Sequence, residues 1–205
     1  QPGEANLLLD LQNGLVFNSK NIRYRVLEGE VEMLDNKTIA GYNRVRGWVA
    51  RYFYYMIVFD RPYTVKKELP QEEGEKAKRF ILEFDLKEGE SVQVKVALST
   101  VGIEGAKMAL DKENPGWNFE SIKAETNGKW NDMLSLVEVE GTEEEKMNFY
   151  TSMYHLFIQP TNIADIDGKY RGANDSIFVS STGYYYSTFS LWDTYRAAHP
   201  LYTLL

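Results

Sequence analysis

No cysteine occurs in the 205 residues, which excludes disulfides, zinc–thiolate centres and cysteine nucleophiles together. Histidine is nearly as scarce. His155 and His199 are the whole supply, so a histidine-rich metal site is excluded and any metal would be a hard cation on oxygen ligands. Positive charge is in deficit, with 23 Lys and Arg against 30 Asp and Glu for a net charge of −7. That balance argues against nucleic acid or an anionic membrane surface as a partner. Long apolar runs are missing too: stretches such as residues 52–59 fall far short of the roughly 20 residues a membrane helix needs. The start, Gln1-Pro2-Gly3-Glu4, has neither the basic flank nor the apolar core of a signal peptide. Gln1 in place of Met predicts a processed or cut chain.

What remains is an ordinary globular composition, 43% hydrophobic and 26% charged, enough for one large domain or two small ones. Up to about Gly116 the pattern predicts short strands. Residues 5–11 form a compact apolar run closed by Asn13-Gly14, and residues 30–34 alternate before the turn Asp35-Asn36-Lys37. Residues 51–60 are rich in aromatic and β-branched side chains and end at Arg61-Pro62. Residues 80–86 stop at Glu88-Gly89. In residues 91–99, Val92, Val94, Val96 and Leu98 share one face, and Gln93, Lys95 and Ala97 the other. Such strands predict an antiparallel sheet or sandwich. Residues 66–78 read as a charged, solvated loop.

After Asn114-Pro115-Gly116 the period changes. Phe119, Ile122, Thr126, Trp130 and Met133 fall at helical spacing, weakened by Gly128. Thr142 and Glu145 make a capping box, and the three glutamates 143–145 suit the positive end of a helix dipole. Met147, Tyr150, Met153, Tyr154, Phe157 and Ile158 then predict a buried amphipathic helix ended by Pro160.

The final third concentrates aromatics: residues 142–205 hold 13 in 64, against 15 in the other 141. Asp165, Asp167, Asp175 and Asp193 are interleaved with Lys169, Arg171, Asn174 and Arg196. Aromatic faces beside such donors and acceptors suit a sugar, which has apolar C–H faces and a hydroxyl rim. A packed aromatic core ringed by ion pairs accounts for the same composition. Asp165-Ile166-Asp167-Gly168 is not an EF-hand, since its Gly comes at position four and position twelve is Ser176; it reads as a turn with Asp side chains on local amides. Asp193 and Arg196, three apart, are placed to pair on one helical face. Alternatively, Trp192 lies against a sugar face and Asp193 accepts from two of its hydroxyls. His199-Pro200 reads as helix punctuation.

Three motifs occur in order: Phe149-Tyr150-Thr151-Ser152-Met153-Tyr154-His155, Asp165-Ile166-Asp167-Gly168-Lys169-Tyr170-Arg171-Gly172, and the run from Phe189 through Trp192-Asp193-Thr194-Tyr195-Arg196 to Pro200. Together with residues 5–11, Gly41-Tyr42 and Gly47-Trp48, they resemble the bacterial α-mannosidases of glycoside hydrolase family 92. The resemblance implies a multi-domain chain, β then α. An antiparallel β-sandwich (1–116, partial) is followed by a helical linker (117–141) and the first helices of an (α/α)₆ toroid (142–205, partial). It also implies an exo-acting, calcium-dependent, inverting hydrolase that removes terminal α-linked mannose from glycans in the bacterial periplasm or outside the cell. Inversion needs a general acid and a general base on opposite sides of the scissile bond. No match to the family's acid, base or calcium-ligand motifs occurs here, so the catalytic and metal residues are expected outside this chain, a fragment inactive alone. Trp192 and Asp193 carry over as contacts to the terminal mannose, with Arg171 and Arg196 as weaker supports. The alternative is a non-catalytic carbohydrate-binding sandwich, which would not need the capped helix after Thr142.

Overall fold

The computed structural model describes residues 3–13, 25–47 and 49–204. Gly14 of the expected Asn13-Gly14 turn, and Trp48, lie outside them. Among the described residues seven strands come first: β1 (Gly3–Asp10), β2 (Arg25–Met33), β3 (Thr38–Arg46), β4 (Ala50–Phe59), β5 (Thr64–Glu68), β6 (Arg79–Leu86) and β7 (Val94–Ser99). Helices α1 (Ile103–Glu113), α2 (Phe119–Leu134) and α3 (Glu143–Phe157) follow, then a hairpin of β8 (Lys169–Arg171) and β9 (Ile177–Val179). Two short helices, α4 (Leu191–Thr194) and α5 (Ala198–Leu204), end the described chain. Antiparallel sheets followed by helices is the architecture the sequence predicts. By spatial clustering the chain forms two compact units, residues 1–117 with 164–183, and residues 118–163 with 184–205.

In the first unit a three-stranded sheet, β1-β6-β5, faces a four-stranded one, β2-β3-β4-β7, all antiparallel. The alternation of β6 explains why they stack. Phe80, Leu82 and Phe84 are buried, and their cross-strand partners Leu9, Leu7 and Ala5 point the same way. They close on Ile39, Tyr55, Ile57 and Phe59 of the other sheet. Period two sends the neighbours Ala40, Met56 and Ala97 to the opposite face, where Ala106 and Leu110 of α1 cover them. The four-stranded sheet is therefore buried on both faces, which is why residues 51–59 are apolar almost throughout.

Four details depart from the sequence expectation. Residues 66–78 are not wholly loop, because β5 pairs with β6 through residues 64–68. Its side chains are all exposed, and Lys66 pairs with Glu83 at 2.6 Å while Lys78 meets Glu68 at 3.0 Å. Charge on an edge strand discourages further pairing, and hides the strand from a hydrophobicity reading. In β7 the valine face stays open: Val96 is 57% exposed, whereas Ala97 and Ser99 are buried towards α1. The strand lies at the edge of its sheet, and the aliphatic face is not the packed one. Helix α1 stands where strands are expected. Finally, α3 buries Met153 alone, leaving Met147, Phe149, Tyr154 and Ile158 exposed, so it is not a buried helix. Its cap is as expected, with Thr142 Oγ1 accepting from the Glu145 amide and Glu145 accepting from the Thr142 amide. Within the second unit α3 meets α2 through Trp130 and Tyr154, whose ring centres are 4.5 Å apart.

Gly41 in β3 is required by close approach. A Cβ there would collide with the Glu30 carbonyl and with the Tyr55 hydroxyl, which donates to that carbonyl at 3.0 Å. Burial pushes the Tyr55 phenol pKa far up, so it stays a neutral donor. Gly41→Ala should therefore displace the Tyr55 ring from the core and lower stability by about 2–3 kcal/mol, read by denaturant unfolding. A change below about 0.5 kcal/mol would show that the strand yields instead.

Candidate functional site

The aromatic-rich third builds two arrangements, one in each unit. In the second unit, α4 carries the predicted sugar contacts. Ser190 opens it: its carbonyl accepts from the Asp193 amide at 3.2 Å and from Thr194 Oγ1 at 2.9 Å. Trp192 is 84% exposed, its ring face open, and Leu191 and Tyr195 stand exposed beside it in sequence. The Asp193 side chain is exposed and makes no hydrogen bond or ion pair among the described residues. The pairing with Arg196 that the spacing permits is not formed. Arg196 Nε donates instead to Tyr195 Oη at 2.6 Å, with the guanidinium 5.3 Å from the ring centre. Trp192 and Asp193 thus present an indole face and an uncommitted carboxylate from one helical turn. A sugar is recognised by those two groups together, C–H face on the ring and hydroxyls on the carboxylate. Tyr184 and Tyr186, nearby in sequence, hold their rings parallel within 4°, centres 6.1 Å apart. His199 sits between Phe189 and Tyr202, in keeping with a structural role at the start of α5.

Arg171 belongs to the other arrangement. Its Nε donates to Thr100 O at 2.7 Å, Nη1 to Asp175 O at 2.9 Å, and Nη2 to Val101 O at 3.1 Å. The same guanidinium lies 4.9 Å from the Tyr52 ring centre and 5.8 Å from that of Tyr54. With its donors spent on carbonyls and its face on tyrosines, Arg171 clamps the β8–β9 hairpin to the ends of β4 and β7. Asp165 fastens the same segment. Ser99 Oγ, buried, donates to Asp165 Oδ2 at 2.7 Å and accepts from the Val101 and Gly102 amides at 2.9 and 3.2 Å. A Cβ on Gly105, in the first turn of α1, would collide with both that carboxylate and the Ser99 hydroxyl.

Asp165-Ile166-Asp167-Gly168 is the turn its sequence predicts. The Gly168 amide donates to Asp165 O at 2.8 Å, and Gly168 takes φ 79°, open to glycine without strain. Asp167 accepts from the Lys169 amide at 3.1 Å and meets Lys169 Nζ at 2.6 Å. The Ser99–Asp165 latch is not legible in sequence, since its partners lie 66 residues apart. Gly105, a glycine inside a helix, was the available signal.

No three His, Asp or Glu side chains converge among the described residues. A cleft of about 670 Å³ does exist within the first unit, between the outer sheet face and α1, lined by Met56, Val58, Lys95, Leu110 and Trp117 among others. None of the predicted contact residues lines it.

A sandwich leading into helices, with an exposed Trp–Asp pair in the helical part, defines a β-domain joined to a helical one. Two sequence models of one family fit it, the glycosyl hydrolase family 92 N-terminal domain over residues 1–99 and the family 92 catalytic domain over residues 105–205. The chain belongs to glycosyl hydrolase family 92. Among solved structures it is similar to the family GH92 α-mannosidase BT3965 from Bacteroides thetaiotaomicron, at 31% identity and a TM-score of 0.76 over 87% of this chain. BT3965 has also been solved in complex with mannoimidazole. The GH92 inverting mannosidase BT2199 from the same species shares the fold at 23% identity and a TM-score of 0.75, over 85% of this chain. The chain spans about a quarter of these proteins' length, 26% in each case. No curated protein sequence matches it significantly.

Burial raises the Asp165 pKa above its ordinary 3.8; Ser99 and Lys169 oppose the rise, while Asp167 and Glu113 add to it. The folded state therefore binds this proton more tightly than the unfolded state, and stability falls as pH rises from about 3.8 through the folded pKa. Asp165→Asn keeps an acceptor for Ser99 and removes the titration. Unfolding measured between pH 3 and 7 should show wild type losing stability relative to Asp165→Asn as pH rises. Parallel pH curves would mean that the carboxylate is ionised without cost.

Proposed function

We propose that this chain is part of a glycoside hydrolase that releases terminal α-linked mannose from glycans with inversion, working in the bacterial periplasm or outside the cell. Membership of family 92 across both units carries the reading, and the match of residues 105–205 to the catalytic domain favours an enzyme over a stand-alone sugar-binding sandwich. In this reading Trp192 stacks on the terminal mannose and Asp193 accepts from its hydroxyls. Arg196, turned towards Tyr195, and Arg171 are the weaker supports. The general acid, the general base and the calcium ligands would come from residues outside the described ones. Calcium, when bound, would engage sugar hydroxyls. No helix among the described residues is long and apolar enough to cross a membrane, and the acidic balance is the wrong sign for nucleic acid.

Proton NMR on the full-length protein with an aryl α-mannoside, with and without a chelator, tests the reading. The expected result is β-mannose as the first-formed sugar and loss of turnover on chelation. α-Mannose first, or no release at all, would overturn it, and turnover resistant to chelation would remove calcium from it.

Asp193→Ala in the full-length protein should lower kcat/KM by about 30- to 1,000-fold, the loss of about 2–4 kcal/mol of charge-assisted hydrogen bonding to hydroxyls. Because Asp193 has no partner among the described residues, the melting temperature should stay within about 1 °C of wild type. Early melting with normal kinetics would instead give Asp193 a structural role.

A further inference from the structure

The cleft of about 670 Å³ between α1 and the outer face of the four-stranded sheet lies wholly within the first unit. Its size falls in the range of roughly 300–1,000 Å³ typical of small-molecule sites. The floor is apolar, with Ala40, Met56 and Val58 from the sheet and Leu110 from α1. The walls carry charge. Glu32 of β2 lines the cleft, as do Glu104, Lys107 and Asp111 of α1. Spacings of three and four residues would let Lys107 pair with Glu104 or Asp111. Yet none of these four side chains forms an ion pair or hydrogen bond among the described residues. The end at Trp117 is built differently. Lys95 Nζ donates to Asn114 O at 2.9 Å, Gly116 O at 3.3 Å and Pro115 O at 3.5 Å, and it lies 4.3 Å from the Trp117 ring centre. The carbonyls that follow α1 hold this ammonium, and the ammonium holds the indole at the cleft wall. Its donors are thereby spent.

We propose that this cleft is a sugar-binding site of the β unit that takes one neutral pyranose residue of a glycan. The proposal rests on the mannosidase reading above for the choice of sugar. A pyranose has an apolar C–H face and a rim of hydroxyls, and the cleft matches both. The aliphatic floor and the Trp117 ring suit the C–H face. Glu32, Glu104 and Asp111 accept from hydroxyls, and Lys107 donates to a hydroxyl oxygen. A purely apolar ligand would strip water from these charged walls and return no hydrogen bond. Charge then selects among sugars. Among the lining residues, three carboxylates face one ammonium that is not already spent on carbonyls, a balance that repels phosphate and sulfate groups. Arg171, Trp192, Asp193 and Arg196 do not line the cleft, so binding there and contacts at the α4 turn are separable by measurement.

Fluorine NMR on the full-length protein labelled with fluorotryptophan reads the cleft directly, the Trp117 resonance being assigned by its loss in Trp117→Phe. Titration with methyl α-mannoside should shift that resonance saturably. Glu32→Gln and Asp111→Asn, exposed and with no partner to lose among the described residues, should each weaken the titration by about fivefold or more, the worth of a hydrogen bond. Both variants should keep kcat/KM on an aryl α-mannoside within about twofold of wild type, because neither touches the α4 turn. The 6-phosphate of the same mannoside should bind about tenfold more weakly than the neutral sugar. A Trp117 resonance that does not respond to the mannoside overturns the site, and a response to oligolysine alone would give the cleft to a basic peptide instead. Shifts that both carboxamide variants leave unchanged overturn the assignment to these walls. Equal binding of the 6-phosphate overturns the selection by charge. Turnover of the aryl α-mannoside without a Trp117 response removes the cleft site and leaves the mannosidase reading standing. A Trp117 response without mannose release removes the mannosidase reading and keeps the sugar site.

Discussion

The four-stranded sheet β2-β3-β4-β7 has to bury both of its faces, and most of the structure follows from that. One face needs a second sheet, which β1, β6 and β5 supply around Phe59, Leu82 and Phe84. The other needs a helix, and α1 supplies it with Ala106 and Leu110 against Ala40 and Met56. A connection from an edge strand to a covering helix must turn sharply, so β7 ends at Ser99 and α1 begins at Ile103. That turn leaves carbonyls and amides of residues 99–102 in need of partners, because buried backbone polar groups are costly when unpaired. Arg171 and Ser99 meet that need, and through them the 164–183 segment becomes part of the β unit.

The same constraint explains where aromatic residues go. Along β4 the odd positions Tyr55 and Phe59 face the other sheet, while Tyr52 and Tyr54 face outwards with Tyr42. Three neighbouring tyrosine rings beyond the part of that face under α1 would be a liability, but Tyr52 and Tyr54 form the surface on which the Arg171 guanidinium lies. Aromatic richness in this chain therefore has two physical meanings. In β4 it is an arginine seat and a core. At Trp192 the ring is left exposed, with an uncommitted carboxylate at the next position in the chain.

Legibility in the sequence followed the range of the interactions. The Thr142–Glu145 capping box and the Asp165–Gly168 turn are closed by residues three apart, so reading them needed no tertiary information. The β6 alternation was legible because one face is wholly buried. Helix α1 escaped notice because Gly102 offers no side-chain cap and Gly105, which makes room for Asp165, weakens the helical pattern. The strand β5 escaped because exposed charge is what an edge strand uses to stay unpaired. For Asp193 and Arg196 the spacing defined an available ion pair, but Tyr195 supplied a closer partner for the guanidinium. Spacing on a helix states which contacts are possible; competition among neighbours decides which form.

The apolar residues left open on α3 extend that argument. Met147, Tyr154 and Ile158 recur at helical spacing, the signature of a packed face, and yet they are exposed. A periodicity of this kind encodes the surroundings in which a helix was selected, and α2 meets only part of the demand through Trp130. The chain spans 26% of the length of the solved α-mannosidase it resembles. The contrast with Trp192 is chemical. The α3 face offers only apolar groups with nothing to orient a ligand, so packing accounts for it. The α4 turn adds a carboxylate with no partner among the described residues, and packing alone gives no reason to place it there.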